Sequence, residues 1–331
     1  MIFQPTALAL LLAATLIAIL LAGCGLFALH LLRHWNAAAG SEMQIALERR
    51  TYLVSTLVAL SLGLSLPMLA LFVHNADAMA PFFSGAMCAV GSLKVNVWGM
   101  PALLTLLASF FIAAAWLLLN HLDSLGWDTP LIRPKYRLLL LLAPLSVAQA
   151  VFLWLYYLDL NPEVITSCCG SLFGPEAAGV AAEVAALPLA VALPLFWGVY
   201  LVTLSVGVVF LWRQRLGIFF SLLVMLNFAV TLMAVVAFIA PYIYEQPQHH
   251  CPFCLLQAEH GYAGWLLYLS LFLATVAGLG VGLAASVRAE SLQPFAPRLA
   301  INLAKIALAA LLVLGLLILF YIYRSNLVLL N

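Results

Sequence analysis

The side chains richest in chemistry fall between residues 249 and 262. They read His249-His250-Cys251-Pro252-Phe253-Cys254, followed by Gln257, Glu259, His260 and Tyr262. Two thiols at C-x-x-C spacing can cycle between dithiol and disulfide, brace a loop permanently, or ligate a metal, and spacing alone leaves all three open. Pro252 suits the first position of a helix, where its missing N–H would have no partner in any case. The pattern therefore predicts a helix starting there, with Cys251 as N-cap and Cys254 one turn later on the same face. The dipole of such a helix favours a thiolate at Cys251, and protonated His249 and His250 would add to the effect, making Cys251 the nucleophile and Cys254 its resolving partner.

These residues sit in a chain that is 66% hydrophobic and 8% charged. A soluble domain carries about 25% charged residues, so the composition excludes a soluble fold of this size. The apolar runs are continuous and exceed about 18 residues, which is the pattern of membrane helices and not of an alternating β-barrel. The expected fold is all-α, a polytopic bundle of about eight transmembrane helices forming a single integral membrane domain. The runs lie near 7–32, 52–74, 97–120, 138–160, 181–212, 217–241, 262–286 and 300–323. The fifth is long enough to begin with a surface segment. A net charge of +1 and the absence of a basic patch exclude nucleic acid as a partner; the lipid bilayer is the expected one. Walker, dinucleotide and haem-attachment patterns are also absent from the sequence.

Charge sets the expected orientation. Arg33, Arg49 and Arg50 follow span 1, Arg133, Lys135 and Arg137 follow span 3, Arg213 and Arg215 follow span 5, and Arg288 and Arg298 follow span 7. Only Lys94 and Arg324 lie on the other side, so the positive-inside rule puts both termini outward, on the periplasmic side of a bacterial inner membrane. Leu21-Ala22-Gly23-Cys24 resembles a lipobox, but no Lys or Arg precedes it and the apolar run continues to Leu32, so span 1 is expected to stay uncleaved.

In that frame five of the six cysteines fall in outward loops: Cys88 after span 2, Cys168 and Cys169 after span 4, Cys251 and Cys254 after span 6. Cys88, Cys169 and Cys251 recur at intervals of about 80 residues, the length of two spans of about 20 residues each with their loops. They would centre three two-helix repeats. His74, His249, His250 and His260 are outward as well. An oxidising outer face permits disulfides, and the odd count leaves at least one thiol over for reaction or ligation.

The segment Cys251-Pro252-Phe253-Cys254-Leu255-Leu256-Gln257 is similar to the C-x-L-C-x-x-Q segment of DsbB-type, quinone-linked membrane thiol oxidoreductases. Ala258 stands where that family commonly has arginine. The resemblance implies that Cys251 and Cys254 form the quinone-proximal pair, and that Cys168 or Cys169 with Cys88 forms a shuttle pair meeting a periplasmic thiol partner. It also implies that Gln257 and His260 lie on the quinone side.

The first expectation is thus a thiol–disulfide oxidoreductase passing electrons from outer cysteines to a membrane acceptor such as quinone. The alternative is a copper-like or other soft metal ion held by Cys251 and Cys254 with His249, His250 or His74, delivered by a metal-carrier protein. The third is a non-catalytic membrane subunit whose disulfides are braces.

Overall fold

A computed structural model describes residues 3–36, 40–166 and 180–327. The described residues are helical and contain no strand. The helices are α1 (Pro5–His34), α2 (Glu42–Ser65), α3 (Met68–Met79), α4 (Ala89–Leu93), α5 (Gly99–Asp123), α6 (Ile132–Leu158), α7 (Val180–Ala185), α8 (Leu189–Arg213), α9 (Gly217–Ala234), α10 (Ala240–Tyr244), α11 (Ala263–Ser286) and α12 (Ala296–Arg324). A π-helical segment, Val235–Ile239, joins α9 to α10.

Eight stretches among these are long and apolar enough to cross a membrane, as the hydropathy of the sequence predicts. Two of them differ most from their predicted extents. The second runs from Glu42 to Phe82 and is broken at Pro67, which lacks the N–H a continuous helix needs and sits between α2 and α3. The fifth is Leu189–Arg213, because Pro188 separates α7 from α8. Pro144 and Pro194 are accommodated inside α6 and α8. On α1 the outward stripe Leu12, Leu16 and Ile19 is at least 60% exposed. An unbroken apolar stripe of this kind suits lipid and not water.

The chain forms two compact units. The first comprises Met1–Ser84, Ser92–Val164 and Ala289–Leu292; the second comprises Gly85–Gly91, Ile165–Arg288 and Gln293–Asn331. In the first unit α1 packs along α6, and α5 lies against α6 and α2. Side-chain hydrogen bonds tie these helices together. The Tyr157 hydroxyl donates to Asn75 Oδ1 at 2.6 Å, and Trp154 Nε1 donates to Thr15 Oγ1 at 2.9 Å. In the second unit α11 packs against both α9 and α12. Close approach is possible because α11 presents glycine: a Cβ on Gly278 would lie 2.7 Å from Val224, and one on Gly282 would lie 2.5 Å from Ser221. Small residues at helix contacts are the usual source of packing energy inside a bilayer, where hydrophobic exclusion from water is not available.

Lys135, counted above among the inward positive charges, is buried in the first unit. Its Nζ donates to Asp123 Oδ2 at 2.8 Å and to Asn120 Oδ1 at 3.1 Å. Asp123 Oδ1 in turn accepts from the Leu131 amide at 2.8 Å, so one carboxylate fixes the turn between α5 and α6. Removing one member of such a pair strands a buried charge, at a cost of about 3–5 kcal/mol. Lys135→Met is therefore expected to destabilise by that amount in denaturant titration of the detergent-solubilised protein. Adding Asp123→Asn, which neutralises the carboxylate and retains an oxygen acceptor, should recover most of the loss. Equal stability of Lys135→Met and the wild type would show that the pair contributes nothing.

Candidate functional site

Within the second unit the chain from Glu245 to Tyr262 leaves the helical pattern. It is bounded by left-handed residues, with φ of 56° at Glu245, 63° at Gly261 and 55° at Tyr262, and contains only two 3₁₀ turns, Cys254–Leu256 and Ala258–His260. The helix expected to start at Pro252 does not form. The first 3₁₀ turn begins at Cys254 with Phe253 as its cap, so Cys251 is not an N-cap and receives no helix-terminal stabilisation. The carbonyls of this segment accept from side chains of the flanking helices.

Aromatic residues of the flanking helices hold the segment. The Tyr244 hydroxyl donates to the Cys251 carbonyl at 2.6 Å, Tyr268 to the Pro252 carbonyl at 2.7 Å, and Trp265 Nε1 to the Leu256 carbonyl at 3.2 Å. His250 Nδ1 lies 2.8 Å from the Val236 carbonyl in the π-helical segment, which turns this ring toward α9. Gln257 Nε2 donates to the Met87 carbonyl at 2.9 Å and so clamps the segment Gly85–Gly91 onto the loop. That segment is anchored a second time by Thr166, whose hydroxyl donates to the Gly91 carbonyl at 3.1 Å. Gly85 has φ 85° and passes so close to Thr166 that no side chain could be accommodated there.

These anchors bring three cysteines together. Cys88 Sγ and Cys251 Sγ are 3.4 Å apart, a thiol–thiol hydrogen-bond distance. The sulfurs of Cys88, Cys251 and Cys254 all lie within 4.8 Å of one another. The three residues are 0%, 0% and 2% exposed. Thiolates around one metal ion at about 2.3 Å stand about 3.8–4.0 Å apart for tetrahedral or trigonal angles. The observed triangle, with one edge of 3.4 Å and none above 4.8 Å, brackets that range.

The other sequence-derived site residues lie as follows. His249 stacks on the Tyr244 ring with centroids 4.2 Å apart, and His260 approaches the same ring at 4.3 Å. Burial, and then the neighbouring His249, push the His260 imidazole below its ordinary pKa, opposed by Glu259. His74 is exposed on α3 in the first unit. Cys168 and Cys169 lie outside the described residues. Cys24 is buried within α1. Sequence reasoning missed Tyr244, Tyr268 and Trp265 as supports of the site. Tyr244 and Trp265 stand at the ends of apolar runs, and nothing in the spacing shows that their polar tips turn back to the loop.

No protein-family model, curated protein or solved structure matches the chain.

The packing of α11 under the loop gives a test of how the triangle is held. A Cβ on Gly264 would meet Leu255 at 2.8–3.0 Å, including its backbone, so a side chain there must move the turn that carries Cys254. Gly264→Ala should raise the alkylation rate of Cys251 and Cys254 by about 10-fold or more, which corresponds to about 1.4 kcal/mol of easier local opening. An unchanged rate would mean that the turn is positioned by something other than this contact.

Proposed function

We propose that the second unit carries, in the loop beyond its apolar helices, a binding site for a thiophilic metal ion, with Cys88, Cys251 and Cys254 as its ligands. The observation that carries this reading is the buried sulfur triangle, every edge of which is 4.8 Å or less. Thiolate ligands select d¹⁰ ions such as Zn(II) and Cu(I). Burial discriminates between these two. Three thiolates leave a net charge of −1 around a divalent ion and −2 around a monovalent one, and unbalanced charge is costly away from water. The divalent ion is therefore the better occupant.

By the distribution of Lys and Arg the loop faces outward, on the periplasmic side of a bacterial inner membrane. There a metal-carrier protein or the free ion would supply the site, and the eight apolar stretches would fix it in the bilayer. His250 Nδ1 is turned to the Val236 carbonyl, and the atoms that cluster within 4.8 Å are the three sulfurs, so the proposal takes the cysteines as the ligands.

A second reading rests on the 3.4 Å approach of Cys88 to Cys251. If Cys251 and Cys254 form a disulfide, the Cys88 thiolate can attack Cys251 Sγ. A Cys88–Cys251 disulfide then forms, the Cys251–Cys254 bond breaks, and Cys254 leaves as thiolate. That exchange moves no net electrons. An oxidoreductase would further need a dithiol partner as donor and a quinone as acceptor of two electrons and two protons. The complete burial of all three sulfurs weighs against direct attack by a partner's thiol. The metal reading needs only the three cysteines themselves.

The test is zinc binding by anaerobically purified, reduced protein, with X-ray absorption at one equivalent. A sulfur shell at about 2.3 Å is expected. Serine at Cys88, Cys251 or Cys254 should each weaken binding by more than about 100-fold, beyond the 10–100-fold cost of losing a supporting residue. Cys24→Ser should change nothing. A shell without sulfur would overturn the metal reading. If, in addition, Cys251 and Cys254 react with alkylating reagent only after reduction, the exchange reading replaces it.

A further inference from the structure

Two histidines of the same loop make a second cluster that the cysteine triangle does not use. His249 and His260 both pack on Tyr244, and their ring centroids are 6.1 Å apart at an interplanar angle of 81°. An imidazole bound at about 2.0–2.1 Å places its ring centroid about 3.2 Å from the metal. Two such rings on one ion are therefore about 5.2 Å apart at a tetrahedral angle and about 6.4 Å apart at a linear one. The observed spacing exceeds the tetrahedral value by about 0.9 Å, so the two rings have to draw together by that amount around a tetrahedral ion.

Independent of this spacing, His249 Nε2 is buried and has no hydrogen-bond partner. A buried polar atom left in this state asks for an explanation, and a bound ion is one of the few that supply it. Glu259, exposed and adjacent to His260, adds a negative charge that favours a cation there. The rings of His249 and His260 are partly exposed where the three cysteines are closed off, so this edge of the loop lies nearer to water than the sulfurs, although His249 Nε2 itself is covered. Tyr244 connects the two groups: its ring carries the histidines and its hydroxyl holds the Cys251 carbonyl.

We propose that His249 and His260 form a second metal site, an imidazole station for a borderline divalent ion such as Zn(II), from which the ion passes to the buried cysteines. The transfer rests on the metal reading of Cys88, Cys251 and Cys254; the imidazole station itself does not. The step is ligand exchange without redox change, in which nitrogen bonds to the ion break as sulfur bonds form and the thiols release their protons to solvent.

The experiment uses the full chain in detergent, with zinc as the structural probe and Cd(II) as the kinetic one. In the wild type, X-ray absorption at a second equivalent of zinc should show a nitrogen shell at about 2.0–2.1 Å in addition to sulfur at about 2.3 Å. His249→Phe with His260→Phe keeps two rings against Tyr244 and removes the nitrogens, so the loop should fold as before while the nitrogen shell disappears. Loading of the cysteines, followed by the sulfur-to-cadmium absorbance, should slow by about 10-fold with its equilibrium affinity unchanged. A nitrogen shell that survives in the double variant, or a second equivalent that never binds, overturns the imidazole site. Loading at the wild-type rate, with the nitrogen shell gone, overturns its role as a station. A wild type with the nitrogen shell but no sulfur shell would instead overturn the cysteine reading and leave the imidazole site standing.

Discussion

A peptide group buried away from water must find partners for its N–H and C=O within the protein. For most of this chain the partner is the next turn of a helix. From Glu245 to Tyr262 it cannot be, because left-handed residues and two isolated 3₁₀ turns interrupt the ladder. The carbonyls of Cys251, Pro252 and Leu256 are satisfied by Tyr244, Tyr268 and Trp265. The same bonds that make an irregular segment tolerable also fix where its thiols stand. Geometry at the cysteines is thus a consequence of backbone accounting in the aromatic residues around them.

The third thiol comes from far away in sequence, 163 residues before Cys251. Closing so long a loop has an entropic cost that grows only slowly with length, so remoteness in sequence is no bar to assembling a site. What assembly requires is a fixed landing place. Gln257 supplies it by donating to the Met87 carbonyl, and Thr166 supplies it at the other end of the segment through Gly91. Gln257 read from the sequence as a residue on the quinone side. Its amide also clamps the two halves of the cysteine group together, a role that would be lost with an apolar side chain.

What could be read from the sequence follows from how local each feature is. Eight apolar runs announce eight helices because hydrophobic length is a property of contiguous residues. The break at Pro67 and the late start after Pro188 are local too, but a proline inside an apolar run does not declare whether the helix will bend or end, and Pro144 and Pro194 sit within continuous helices. The pairing of Lys135 with Asp123 was hidden, since a count of positive charges carries no information on burial. The nearness of Cys251 to Cys254 is implied by their spacing. The arrival of Cys88 beside them depends on two hydrogen bonds made across more than seventy residues, and no periodicity encodes those. The proline rule failed at Pro252, where the Cys251 carbonyl accepts from the Tyr244 hydroxyl and only a 3₁₀ turn follows at Cys254.

Burial then turns geometry into chemistry. Three thiols within 4.8 Å are equally suited to sharing a metal and to exchanging disulfides, so distance alone does not choose. Exchange with an outside protein requires a sulfur that the partner's thiolate can approach in line with the S–S bond. A metal ion needs no such line of approach. It sheds water stepwise, accepts one ligand at a time, and can be handed inward by groups at the rim. With the sulfurs closed off and the rings of His249 and His260 at the more exposed edge of the same loop, the metal reading would run from imidazole nitrogens at the rim to dry sulfurs inside. Such a gradient has a direction: a borderline ion gains affinity as it moves from the imidazoles to the thiolates.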